Sequence, residues 1–367
     1  MHTHRFPLFK RVCAVLSWCL AGAAVCIAST VAAAATACAV REPALVWVSG
    51  DFSIPELAYC AMTDARTIEM GFSKPVSVNA VLCSADGSNA ESIQAHTAET
   101  PSAQTYVARM QTSASAAAGE PYLLHGEAED TNGNTLSFSV PVTGYNGRVP
   151  LLVLSEIRTA YTKGKVEFVE LYAVTSGNLA GITLFSAYDG QADSYQFPAA
   201  EIQAGEYITL HMRALEDGCI DETEADLNAA TAGEALADAR DFWVQNTSAR
   251  IGDSDILLLY NDFTGEIIDC AAYSESEKTD WKNDAMRRAA EEAHAAGMWP
   301  SAAVSGALCS DGTTPTRTIS RQNIPEIAQR GGYDPAAMNG PGCWMVTATS
   351  TASPGKPNSD KPHIASK

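Results

Sequence analysis

Basic residues are scarce in this sequence, aromatic side chains are few, and no long hydrophobic run occurs after residue 37. Lys and Arg number 24 against 43 Asp and Glu, for a formal charge of −19. Such a balance repels nucleic acid and anionic lipid surfaces, which excludes both as expected partners. The apolar clusters of the later chain, such as Ile256-Leu257-Leu258-Leu259-Tyr260, are strand-sized, too short to span a bilayer. Catalytic signatures are missing as well. There is no G-x-S-x-G, H-E-x-x-H, G-x-x-x-x-G-K-S or C-x-x-C. Five histidines lie beyond the N-terminal segment: His96, His125, His211, His294 and His363. No two stand at a ligand spacing, and each is read as satisfied or solvated. The chain is therefore expected to be no enzyme and to need no cofactor or metal.

What is present begins at the N-terminus. Residues 2–11 carry Arg5, Lys10 and Arg11 and no acid. Residues 12–37 are apolar or small and close on an Ala-rich stretch. A basic start, an apolar middle and a small-residue end make an export signal over residues 1–37. Cleavage is favoured over a retained anchor because alanine drives insertion weakly. Removing three basic residues and no acid takes the charge from −19 to −22. Ala35-Thr36-Ala37-Cys38 is similar to a relaxed bacterial lipobox, which marks Cys38 for lipidation. A lipid there would tether the protein without a spanning helix. The alternative is ordinary cleavage with Cys38 incidental.

Residues 43–147 read as a first domain. Ile68, Met70 and Phe72 alternate along one strand, which Pro75 ends because proline cannot donate to a ladder. Residues 122–127 and 136–142 are two further strands, and Asn132-Gly133 supplies the positive φ of a tight hairpin between them. The strand ending Phe72-Ser73-Lys74-Pro75-Val76, with Ala128, Asp130, Gly133, Asn134 and Thr135 later, resembles bacterial Ig-like domains. Residues 145–150 form a linker.

Residues 151–358 read as a second domain of short strands at 151–157, 166–171, 182–188, 207–212, 255–260 and 267–273. Short strands with regular turns imply a sandwich or barrel. Nine small motifs occur here in order. They are Ser155 to Ile157, Glu167 to Leu171, Leu179 to Gly181, Tyr195 to Pro198, Gly205 to Tyr207, Gly252-Asp253, Asp262 to Asp269, Ser320-Arg321 and Ser353 to Asn358. Together they resemble the lamin-tail family, departing from it where Ile182 stands for a tryptophan and where the S-x-R piece is compressed. The fold implied is all-β: two Ig-like β-sandwiches in tandem, the second with lamin-tail topology and a helical insertion.

Two insertions interrupt that domain, at 214–241 and 274–315. The second holds an expected helix over 280–296, capped by Thr279 and ended by Gly297, with Trp281, Ala285, Met286, Ala289 and Ala293 forming an apolar stripe that packs on the sandwich. The first carries Glu216, Asp217, Asp221, Glu222, Glu224 and Asp226. These lack the order of a calcium loop and read as a solvated face. Glu167 and Glu170, three apart on a strand, face opposite ways and cannot act as a paired acid and base. Residues 359–367 read as a disordered tail.

With Cys38 lipidated, six cysteines remain: Cys60, Cys83, Cys219, Cys270, Cys309 and Cys343. An even number suits an oxidising compartment. Cys60 with Cys83 is one candidate disulfide. The other four allow three connectivities, of which Cys219–Cys270 and Cys309–Cys343 would pin the insertions to the framework; the alternative is buried free thiols.

The functional expectation is a non-enzymatic cell-envelope binding or scaffolding protein, in the periplasm or on the cell surface as an adhesin, with a protein or glycan ligand. The alternatives are a metal-dependent hydrolase or accessory module built on the acidic insertion with His211, and a periplasmic spacer with no specific ligand.

Overall fold

Alternating apolar residues and glycine-bearing turns produce a mostly β architecture. The computed structural model describes residues 51–84, 91–97, 105–189 and 193–364. The expected signal segment and Cys38 lie outside the described residues. No helix among those residues is long and apolar enough to cross a membrane.

The first seven strands are β1 (Leu57–Met62), β2 (Thr67–Phe72), β3 (Ser77–Ser84), β4 (Glu91–His96), β5 (Tyr106–Gln111), β6 (Pro121–Glu129) and β7 (Thr135–Thr143). They form a sheet ordered β1-β2-β5 and another ordered β4-β3-β6-β7. Ile68, Met70 and Phe72, all fully buried, meet Val78, Leu82 and Leu124 in one core shared by the two sheets. The β6–β7 hairpin closes at Gly133, with φ 81°, and the Asp130 N–H donates to the Asn134 carbonyl at 3.0 Å.

Strands β8 (Leu152–Arg158), β9 (Phe168–Ala173), β10 (Gly177–Asn178), β11 (Ile182–Ser186), β12 (Asp193–Gln196), β13 (Glu201–Ile202) and β14 (Tyr207–His211) follow. The last strands are β15 (Arg240–Trp243), β16 (Asp255–Asn261), β17 (Glu266–Ser274), β18 (Leu308–Cys309), β19 (Ile319–Arg321) and β20 (Trp344–Val346). One sheet runs β12-β11-β16-β17-β18 and another β15-β14-β9-β8-β19-β20, while β10 and β13 pair alone. The two large sheets bury a second core that includes Leu154, Leu171, Leu210, Leu258 and Ile319. Gly181, between β10 and β11, has φ 77°, and a Cβ there would stand 2.1 Å from the Phe263 ring. Only glycine meets both conditions.

Helix α1 (Asp284–Ala295) starts four residues later than expected, because the side chain of Asn283, rather than that of Thr279, caps the Met286 N–H. Its stripe of Ala285, Met286, Ala289, Ala290 and Ala293 is buried in the second core. Trp281 lies before the helix and packs against the same core. Two short helices, α2 (Ile324–Arg330) and α3 (Pro335–Met338), lie between β19 and β20.

Two expectations need correction. The tail expected to be disordered from residue 359 instead pairs back. Thr347 bridges Pro362, and the His363 N–H donates to the Val346 carbonyl at 2.8 Å. The six cysteines are all free thiols, so none of the expected disulfides forms. Cys60 on β1 and Cys83 on β3 lie in different sheets, each as a half-buried thiol. Cys270 is buried in the second core beneath Asn339 Nδ2 at 3.8 Å, while Cys219 packs with Val166 and Trp243 in a separate cluster. Cys309 is exposed and Cys343 half-buried.

Thiol labelling checks this arrangement. Under native conditions iodoacetamide should modify the exposed Cys309 and spare Cys270. Burial pushes the Cys60 thiol up to about 11, so Cys60 should lag as well, since the thiolate is the reactive form. Peptide mapping after alkylation in denaturant should show each of these six cysteines labelled. Any of the six left unlabelled would restore the disulfide expectation.

Candidate binding cleft

Five of the nine dispersed motifs, those holding Glu156, Glu170, Asp269, Arg321 and Ser353 to Asn358, meet in two buried polar networks. In the first, Glu156 on β8 and Glu170 on β9 are directly opposite across the sheet. Neither is exposed to solvent. Glu156 accepts from the Thr318 and Ser320 hydroxyls and, through Oε2, from the Ser353 N–H at 3.0 Å. Glu170 accepts from the Gly355 N–H at 2.5 Å, while its Oε1 has no partner. Asn358 Nδ2 donates to the carbonyls of Ser155 at 3.0 Å and Arg321 at 2.8 Å. The closing segment, residues 353–358, therefore seals the carboxylates beneath it. Burial pushes both carboxyls above the ordinary glutamate range, and the Glu156 charge adds to the rise at Glu170.

The second network surrounds Arg321, whose side chain and that of Asp269 are completely buried and meet at 2.6 Å. Arg321 Nη2 also donates to the Tyr333 hydroxyl and Asn339 Oδ1. Tyr333 donates in turn to Asp269 at 2.5 Å. Asn339 Nδ2 reaches Asp269 and the carbonyls of Cys270 and Met298. Each charge is paired and hydrogen-bonded, the condition under which buried charges persist.

Of the residues the hydrolytic alternative would use, His211, Asp221 and Glu222 are tied into the fold, while Glu216 and Asp217 are exposed. His211 Nε2 bonds Asp241 at 2.8 Å, and its ring stacks on Trp243 at 3.8 Å. Asp221 accepts from the Trp243 N–H at 2.7 Å and the Tyr195 hydroxyl at 2.9 Å. Glu222 accepts from the Asp241 and Ala230 N–H groups. Part of the acidic run is thus buried scaffolding rather than a solvated face. Among the described residues, no three acidic, histidine or cysteine side chains gather as a metal site. Glu167 and Glu170 occupy different environments, as their spacing requires: Glu167 holds Arg213 at 2.5 Å.

These contacts shape a cleft of about 680 Å³ between the 214–241 insertion and the β8–β9 turn. Arg158 clamps the insertion by pairing with both oxygens of Glu234, at 2.8 and 2.9 Å. Arg240 does the same at its far end, through Glu206 at 2.8 Å and the carbonyls of Glu222 and Glu224. Tyr161, Lys163, Arg213, Leu215, Glu216 and Trp243 are among the lining residues. The sequence reading singled out none of these as a site apart from the acidic Glu216. They come from three separate segments with no shared motif, and the only signal was the insertion itself.

A family model, TP_1001_2nd (protein second domain), matches residues 150–346. An uncharacterized protein of Treponema pallidum (strain Nichols) is 34% identical over 179 residues, covering 48% of this chain and 45% of that protein. The chain thus spans less than half the length of that relative. Among solved structures, the N-terminal part of the bacterial S-layer protein SbsC matches 59% of this chain and 43% of its own, at 13% identity and a TM-score of 0.22. A DUF4785 family protein from Legionella pneumophila matches 60% and 57%, at 11% identity and a TM-score of 0.23. Likenesses at these scores carry no argument. The family match takes in more than half of the 367 residues, and the chain belongs to the TP_1001_2nd family.

Proposed function

We propose that this chain is a non-enzymatic binding or scaffolding module of the cell envelope. Its two sheet pairs would be Ig-like sandwiches in tandem, the second of lamin-tail topology. It would be exported by residues 1–37 and tethered through a lipid on Cys38. The observation that carries the reading is the division of labour among charged residues. Glu156, Glu170, Asp269, Arg321, Asp241 and Glu222 are buried inside the framework. The insertion is clamped by Arg158 and Arg240 into a preformed cleft whose rim remains open to solvent. A rigid framework presenting a shaped loop is the usual plan of a recognition module.

The test is a binding screen of the exported chain against glycan and peptide arrays, with Leu215→Glu as the cleft variant. Leu215 is 43% exposed, so the substitution leaves the core intact. At least one array member should bind, and Leu215→Glu should weaken it about tenfold or more, the scale of losing one well-placed contact. A blank on both arrays would leave a structural spacer. Affinity unchanged by Leu215→Glu would move the ligand to another surface.

A further inference from the structure

We propose that the cleft under the 214–241 insertion takes a neutral pyranoside glycan, with one sugar ring stacked on Tyr161. This rests on the binding-module reading above and names its ligand class.

Three features carry it. First, Tyr161 is a supported platform. Its side chain is 42% exposed, while the Arg213 guanidinium lies 4.3 Å from the ring centroid. That guanidinium is itself fixed, by a two-pronged pair to Glu167 at 2.7 and 2.5 Å and a bond to the Thr247 carbonyl at 3.1 Å. A ring braced in this way loses little freedom when a ligand stacks on it. Second, apolar and polar groups share the cleft. Leu215 joins Tyr161 among the exposed large apolar side chains, and both line the cavity. Lys163, Glu216 and Glu234 line it too. A pyranose matches this combination, since its C–H face is apolar and its edge carries hydroxyls that both donate and accept. Third, charge and shape remove the competitors. A polyanion would meet Glu216 and Glu234 on a chain of net −19, where of the two lining cations, Lys163 and Arg213, the second is already paired with Glu167. An acyl chain is best served by an enclosed apolar tunnel, and this cleft is open and edged with charge. About 680 Å³ lies within the ordinary range of small-ligand sites.

The experiment is isothermal titration of the exported chain with neutral di- and trisaccharides. Uronate oligosaccharides, a fatty acid and a peptide library serve as the other arms. Tyr161→Ala and Tyr161→Phe are run beside the native protein, with circular dichroism to confirm that both are folded. A neutral saccharide should bind saturably. Tyr161→Ala should weaken it about tenfold or more, and Tyr161→Phe, which keeps the ring, should stay within about threefold. Should Tyr161→Ala fail to fold, Leu215→Ser makes the same comparison from the other side of the cleft. Neutral-saccharide binding that Tyr161→Ala leaves unchanged overturns the proposal, as does preference for uronates or fatty acid. Peptide binding without saccharide binding overturns the glycan while the binding-module reading stands. No binding in any arm removes both.

Discussion

Replacing Arg321 with alanine should destabilise the protein by about 3–5 kcal/mol, the usual result of stripping one partner from a buried ion pair. Both members of the Arg321–Asp269 pair have no exposed side-chain surface. Arg321→Ala would leave the Asp269 carboxylate with only Tyr333, Asn339 and the Leu154 N–H around it. It would also remove a guanidinium that lies 5.1 Å from the centroids of both Tyr333 and Trp344. The loss should be felt across β8, β17, β19 and the α2–α3 segment together, because the network joins all four. Urea unfolding followed by tryptophan fluorescence measures it. Asp269→Asn alone should also be costly. The double variant Arg321→Met with Asp269→Asn should lose less than the two single losses combined, since neither charge is then stranded. A single-variant loss below about 1 kcal/mol would mean that the pair contributes no more than a surface contact.

Glu170→Gln should raise stability at neutral and alkaline pH and flatten the pH dependence of unfolding. The sign follows from linkage. Burial, aided by Glu156, holds the Glu170 carboxyl above its ordinary value of 4.5 in the folded state. The folded protein therefore binds a proton that the unfolded chain releases. That contribution is fully present below the unfolded value and is lost as pH rises through the folded value. Asp255 adds the same sign. Fully buried, its carboxyl is pushed up to about 7 from 3.8. Acidifying the native protein from pH 8 towards pH 5 should accordingly raise its melting temperature. Glutamine at 170 supplies an N–H beside Glu156 at every pH, and the gain at pH 8 should be about 1–3 kcal/mol. Below pH 4 the trend should reverse. Asp130 is held down to about 2, chiefly by the Asn134 side chain, and its contribution disappears as pH falls through that value. Calorimetric scans of both proteins from pH 3 to 9 make the comparison. A melting temperature that climbs steadily with pH in the native protein would contradict carboxyls held above their ordinary range at Glu170 and Asp255.

The strands were legible because their information is local. Ile68, Met70 and Phe72 alternate, and all three are buried on one sheet. Asn132-Gly133 announced a hairpin, and Gly133 adopts the positive φ it needs. Helix α1 was legible from its alanine stripe, but its start was not. Thr279 and Asn283 are both competent caps, and the position of the chain against β11 favours Asn283, whose Nδ2 also reaches the Ala187 and Tyr188 carbonyls. The cysteines misled for a related reason. Parity describes a compartment, whereas a disulfide depends on the distance between particular backbones.

Composition, periodicity and turn chemistry fixed a mostly β chain with two insertions, since these depend on neighbours along the sequence. Which side chains would meet depended on pairing between distant strands. Glu156 faces Glu170 through strand register, and Ser353, Gly355 and Asn358 close over them from nearly 200 residues away. The cleft is the extreme case. Tyr161, Arg213 and Trp243 lie in three segments that share no spacing rule, and they surround one cavity because the clamps at Arg158 and Arg240 hold the insertion against the sheet.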